Sequence, residues 1–215
     1  RLRRISQSLS HPAKGYDELA KAFRILRKSR NTALFLLTFF CYNAGVQAIL
    51  FLASSFADKE MHLEKSKLII LVLILQIVAI GGAFLSSRLS EWKGNKVSLF
   101  TMLVIWTAVC LLGYSVHTET EVFLLGGAIG LVMGGIQALS RSTYAKFLPE
   151  NTRETTTFFS FFDVMDKVST VFGTLVFGLV AQLFGGMRSS VLALSVLFLV
   201  SLAILAAVRV RRMAE

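Results

Sequence analysis

Residues 68–87 read LIILVLILQIVAIGGAFLSS. They are twenty residues without one ionisable side chain. As a helix rising 1.5 Å per residue, such a run crosses the roughly 30 Å hydrocarbon core of a bilayer. Five further apolar runs surround it, at 33–57, 97–116, 122–140, 158–184 and 189–208. Hydrophobic residues make up 54% of the 215 and charged residues only 17%, which is too little polar surface to cover six such helices in water. Lipid admits a spanning chain only if its backbone is hydrogen-bonded within itself, so the runs read as helices. The fold class is an all-α integral membrane protein with six transmembrane helices.

The charges between the runs set the orientation. Of 23 lysines and arginines, 18 fall in 1–32, 88–96, 141–153 and 209–212, and four in 58–67 and at Arg188 on the alternate side. This is the positive-inside asymmetry, and it puts both ends in the cytoplasm, in the cell membrane if the source is bacterial. It also accounts for the net charge of +10 without a nucleic-acid partner. Three segments follow: a cytoplasmic linker at 1–32, a six-helix membrane unit at 33–208 and a cytoplasmic tail at 209–215. In the linker Leu19, Ala22, Phe23 and Leu26 recur at helical spacing, with Lys21, Arg24, Arg27, Lys28 and Arg30 on the remaining surface. That pattern predicts an amphipathic helix at the bilayer surface, acting as a tether. No signal-peptide pattern precedes the first span, and a chain opening on Arg1 reads as a piece of something longer.

The spans are not alike. Spans 97–116 and 189–208 carry only hydroxyl-bearing polar residues and look peripheral. Span 33–57 places Asn43 and Gln47 one turn apart, and side-chain amides are costly in lipid, so they face protein or a cavity. Span 122–140 spaces Gly126, Gly130, Gly134 and Ala138 by four, a ladder that lets a neighbouring backbone come close. Gln137 and Arg141 follow near its cytoplasmic end.

Span 158–184 holds Asp163, Asp166 and Lys167. On a helical wheel Thr156, Ser160, Asp163, Lys167, Thr170 and Thr174 share an arc of about 80°, with Asp166 at its edge. One face is therefore polar for most of a bilayer crossing. Asp163 and Lys167, at i and i+4, are expected to pair, with Lys167 the functional member and Asp166 the weaker candidate, turned toward a neighbouring helix.

An enzyme would need a catalytic constellation, but His11, His62 and His117 all lie outside the runs and no hydrolase or metalloprotease motif occurs. Cys41 and Cys110 have neither metal nor redox spacing. No metal or cofactor is expected.

The stretch GGIQALSRSTYAKFLPENTRETTTFFSFFDVMDKVSTVFGTLVFGLVAQLFG, residues 134–185, resembles the penultimate-span region of one branch of the major facilitator superfamily. This branch includes the autophagy-linked vacuolar amino-acid effluxers and their bacterial relatives. The resemblance rests on Gly134-Gly135, Gln137, Ser140-Arg141-Ser142, Pro149, Phe158-Phe159, Asp163 and Lys167. A looser likeness lies in SRLSEWKGNK, residues 87–96, where Glu91, Gly94 and Lys96 follow the superfamily's cytoplasmic loop pattern and Ser87 departs from it.

The resemblance implies the C-terminal half of a twelve-helix secondary transporter, whose partner is a missing N-terminal six-helix half. The small-molecule substrate would bind between the halves near the midplane, amino acids being the family-level expectation. The expected site residues are Lys167, Asp163 and Gln137, which carry the resemblance, together with Asp166, Asn43, Gln47, Ser160 and Thr170 from the polar helix faces. A cytoplasmic gate would use Glu91, Gly94, Lys96 and Arg141, with Glu91 against the helix start at 151–158. A channel or receptor-like multi-span protein is the alternative, since polar helix faces serve pores equally well.

Overall fold

The computed structural model describes residues 20, 22–27, 29–59, 64–148, 155–184 and 187–208. They contain six helices long and apolar enough to cross a membrane: α1 (Arg30–Lys59), α2 (Lys65–Lys93), α3 (Asn95–Tyr114), α4 (Glu119–Ala145), α5 (Thr155–Phe184) and α6 (Met187–Ala207). The expected all-α, six-span architecture is present. Every helix starts two or three residues before its apolar run, which leaves the unbonded N–H groups of the first turn near water. The linker before residue 20, the loop with Pro149 and the tail at 209–215 lie outside the described residues.

Local chemistry marks the helix ends. Thr118 opens α4 with a capping box, its Oγ1 accepting from the Glu121 N–H while the Glu121 carboxylate accepts from the Thr118 N–H. Between α2 and α3 a single residue, Gly94, turns the chain at φ +86°, a conformation costly for any residue with a Cβ.

Glycines decide which helices touch. Gly126, Gly130 and Gly134 of α4 face Leu71, Leu75 and Ala79 of α2, four residues apart on both sides, so the two helices run parallel and in step. A Cβ on Gly130, Gly134 or Gly82 would strike a main-chain carbonyl of the opposite helix, at Leu75, Ala79 and Leu131 respectively. The predicted small-residue ladder is thus a backbone-to-backbone seam. Across α1 and α5 one glycine does the same: Gly173 lies against the carbonyl of Ala44.

Helices α3 and α6 pack on one another through the stacked rings of Trp106 and Phe198, both fully buried, with centroids 5.5 Å apart. The faces left open belong chiefly to α2, where Ile77 and Ile80 are exposed, and to α5, where Val168, Val171 and Leu175 are exposed. Helical residues 22–27 precede α1. Their apolar side seats on the bundle: Ala22 and Leu26 are buried in the core, and Phe23 meets Phe161 of α5 at 5.9 Å, while Arg24 and Arg27 stay exposed.

Candidate functional site: a polar cavity between α1, α4 and α5

The close approach at Gly173 and Ala44 brings the polar face of α1 onto α5. Asn43, the neighbour of Ala44, donates from Nδ2 to Asp166 Oδ1 at 2.9 Å and to Ser169 Oγ at 2.6 Å. Gln47, one turn further on, donates from Nε2 to the same Oδ1 at 3.2 Å. The other carboxylate oxygen, Oδ2, faces the ammonium of Lys167 at 3.1 Å. Asp166 is therefore the centre of the cluster, with a side chain only 22% exposed against 80% for Lys167.

This revises the expected pairing of Asp163 with Lys167. Asp163 is taken across the helix seam by Arg141 of α4, Nη2 to Oδ1 at 2.8 Å. Lys167 turns to Asp166, whose carboxylate two amides already hold in place. Spacing on one helix made Asp163 and Lys167 neighbours, but partners on α1 and α4 decide the geometry. Both ion pairs keep at least one well-exposed side chain.

The cluster opens into a cavity of about 140 Å³ lined by Phe39, Tyr42, Asn43 and Gln47 of α1, Ile136, Gln137, Ser140 and Arg141 of α4, and Phe162 and Asp166 of α5. Tyr42 Oη and Ser140 Oγ share a hydrogen bond at 2.6 Å, and Ser140 bonds back to the Ile136 carbonyl. Phe39 and Phe162 pack at 4.2 Å, and the Arg141 guanidinium lies 6.0 Å from the Phe162 ring centroid. The arrangement offers amide donors, a carboxylate and a guanidinium in one recess with aromatic walls. It suits a small polar solute bearing a charged group.

Of the residues expected at the site, Asn43, Gln47, Gln137 and Asp166 line this cavity and Lys167 adjoins it. Thr170 spends its hydroxyl on the Asp166 carbonyl, 2.8 Å away, and Ser160 is exposed on α5 outside the lining. Tyr42 and Ser169 were not anticipated. Each sits one or three residues from a flagged polar residue, and a helical wheel of α1 or α5 on its own does not reveal their partners.

A family profile described as "Vacuole effluxer Atg22 like" matches residues 3–215. The chain belongs to that Atg22-like family. The "Uncharacterized MFS-type transporter YxiO" of Bacillus subtilis is 32% identical over 191 residues, covering 89% of this chain and 44% of that protein. "Autophagy-related protein 22" of Candida glabrata is 30% identical over 216 residues, 95% of this chain and 40% of its own length, and that of Saccharomyces cerevisiae strain S288c is 27% identical over 209, 92% and 39%. The chain thus spans less than half the length of these relatives.

In this Atg22-like chain the residues expected at a cytoplasmic gate do not form one cluster. Arg141 joins the cavity above. Gly94 makes the turn, and Lys96 donates to the Ala206 carbonyl at 2.8 Å, placing a cation on the negative end of α6. Glu91 borders a second cleft of about 280 Å³ with Ser90, Asn95, Ser142 and Lys146, where α2 lies along α4, while residues 151–154 of the helix start it was expected to face lie outside the described residues. There the buried Asn95 ties three helices together: it accepts from Ser90 at 2.6 Å and Lys146 at 2.9 Å and donates to Thr143 at 3.0 Å.

Proposed function

We propose that the chain forms one six-helix half of a secondary transporter that moves a small polar solute, amino acids among them, by alternating access. The observation that carries this reading is the cavity around Asp166, because it sets amides and charges of opposite sign at membrane depth. Lys167 lies twelve residues into α5, about 18 Å along its axis, near the middle of a crossing. Charged groups at that depth are expensive and mark solute or ion paths.

The open faces of α2 and α5 support a second six-helix unit as the partner that closes the cavity. Lys167, 80% exposed at this depth, is poorly placed against lipid and well placed against an aqueous cleft between two halves. Membership of the Atg22-like family agrees with transport, and the family's effluxer description favours export from a compartment or cell. Cytoplasmic ends follow from the lysine and arginine asymmetry.

The test is counterflow in proteoliposomes carrying the protein expressed from its own gene, with a labelled amino-acid mixture as probe. Saturable exchange, lost in Lys167→Ala while the variant still inserts, supports the reading. Flux that rises without saturation would instead favour a channel.

A further inference from the structure

The helical stretch 22–27 ahead of α1 has two sides of opposite character. An interfacial helix ordinarily buries its apolar side among acyl chains. Here that side is taken up by protein: Ala22 and Leu26 are each 2% exposed within the core of the bundle, and the Phe23 ring meets Phe161 of α5 at 5.9 Å. On an α-helix Arg24 stands about 160° around the axis from both Ala22 and Leu26. Seating the apolar side therefore turns Arg24 outward, and Arg27 and Arg30 are exposed with it.

These arginines lack counter-charge. Residues 19–30 carry Lys21, Arg24, Arg27, Lys28 and Arg30, and no aspartate or glutamate occurs from Leu19 to Ala57. Arg24, Arg27 and Arg30 meet no carboxylate among the described residues. At the same end of the bundle Asp163 is already held by Arg141, and Glu91 borders the cleft beside Asn95. The anions that satisfy this surface must come from outside the described chain. Arg30 is the first residue of α1, which crosses the membrane, and Arg24 and Arg27 precede it by less than two turns. That keeps all three within the reach of lipid headgroups, whose field extends over a Debye length of about 8–10 Å.

From this arrangement we infer that Arg24, Arg27 and Arg30 form a docking surface for anionic phospholipid headgroups, and that the docked lipid holds the stretch 22–27 against α5 through Phe23. The inference goes beyond the transporter reading and is independent of the solute. Each guanidinium presents paired N–H donors that fit the oxygens of a phosphate diester. Because no apolar side enters the acyl layer, the attraction is electrostatic and weakens as salt rises. A ligand that binds only the seated stretch stabilises the fold that seats it. Phe161 is followed on α5 by Phe162, which packs on Phe39 at 4.2 Å and lines the polar cavity, so the docked stretch braces the α5 wall from behind. An acidic polypeptide would meet the same arginines, but the bilayer is the anion source that α1 itself guarantees alongside them.

The experiment takes the protein expressed from its own gene, purified in neutral detergent and titrated with phosphatidylglycerol or with phosphatidylcholine. Retained lipid is counted by native mass spectrometry, and the melting temperature is followed in the same samples. Wild type should retain phosphatidylglycerol in preference to phosphatidylcholine and melt several degrees higher with it, a gain that fades at high salt. Arg24→Gln with Arg27→Gln should weaken phosphatidylglycerol binding more than tenfold, at about fivefold per cation, and remove the melting gain. Arg88→Gln with Lys93→Gln, which neutralises exposed cations of α2 at the same end, should keep both. Phe23→Ala should keep the retained lipid and lose the melting gain, a split that a diffuse lipid atmosphere does not produce. Equal retention of the two lipids by wild type, or equal losses in the two double variants, overturns the inference, and a full melting gain in Phe23→Ala overturns the hold on α5. A polyglutamate peptide that raises the melting temperature where phosphatidylglycerol does not would assign the arginines to an acidic polypeptide and overturn the lipid assignment.

Discussion

Gly173 of α5 lies against the main-chain carbonyl of Ala44 in α1, so close that a Cβ built on it would overlap that oxygen. The hydrogen bonds from Asn43 and Gln47 to Asp166 cross between the two helices at this close approach. Gly173→Ala should force the two helices apart, at a cost of about 1–3 kcal/mol from overpacking. Gly178, one and a half turns along the same helix, has nothing within 4 Å of its Cβ position. Gly178→Ala should therefore leave the melting temperature in detergent unchanged or raise it, while Gly173→Ala lowers it by several degrees. Equal melting temperatures for the two variants would refute the close seam.

A double-mutant cycle checks the centre of the cavity. Asn43→Ala and Asp166→Ala each remove one partner of the same hydrogen bond, so their effects on stability should not add. A coupling energy of about 1 kcal/mol is expected, the scale of a hydrogen bond between membrane helices. The same cycle for Asp163 with Lys167 should give a value near zero, since Asp163 is bonded to Arg141 instead. The reverse ranking would restore the pairing that helical spacing alone suggests.

For Arg141 and Asp163, whose side chains are 63% and 53% exposed, stability is not the sensitive readout. Exposed pairs contribute about 0–1 kcal/mol. Neutralising either residue should shift the melting temperature little but lower solute exchange, because the partner left behind brings an unbalanced charge into the cavity. Exchange should recover partly in the swapped variant, Arg141→Asp with Asp163→Arg. No recovery, with both proteins inserted, would mean that the pair acts through geometry rather than charge.

Topology can be read with one cysteine. On a background with Cys41 and Cys110 replaced by alanine, Lys65→Cys should react with an impermeant maleimide added outside intact cells, and Lys93→Cys only after the membrane is opened. Both positions are exposed at opposite ends of α2. Labelling in the opposite order would invert the orientation drawn from the lysine and arginine asymmetry.

The six helices were legible because lipid imposes a length and a composition together, and runs such as 68–87 satisfy both. The glycine ladder at 126, 130 and 134 was legible for a similar reason: four-residue spacing of small side chains has one main use between membrane helices. Asp166 was underrated because a wheel of α5 puts it at the rim of the polar arc, and what makes it central is carried by Asn43 and Gln47, more than a hundred residues earlier. The spacing of the two amides predicts only that they face protein or a cavity, and one helix in isolation does not say which carboxylate they meet. Asn95 escaped notice because it follows Gly94 in what reads as a short basic loop. Its meaning lies in the hydroxyls of Ser90 and Thr143 and in Lys146, which only the fold assembles.

To a mutating gene, the α2–α4 seam is nearly closed to change. Any missense change in the codons for Gly82, Gly130 or Gly134 adds at least a Cβ, and each Cβ would strike a carbonyl of the opposite backbone, which cannot swing aside as a side chain can. Variation that is tolerated along these two helices should therefore collect on their open faces, at positions such as Ile77 and Ile80 of α2. A library scored by surface expression would show these glycines as intolerant positions, Gly130 and Gly134 about one turn apart on α4 and Gly82 across from them on α2.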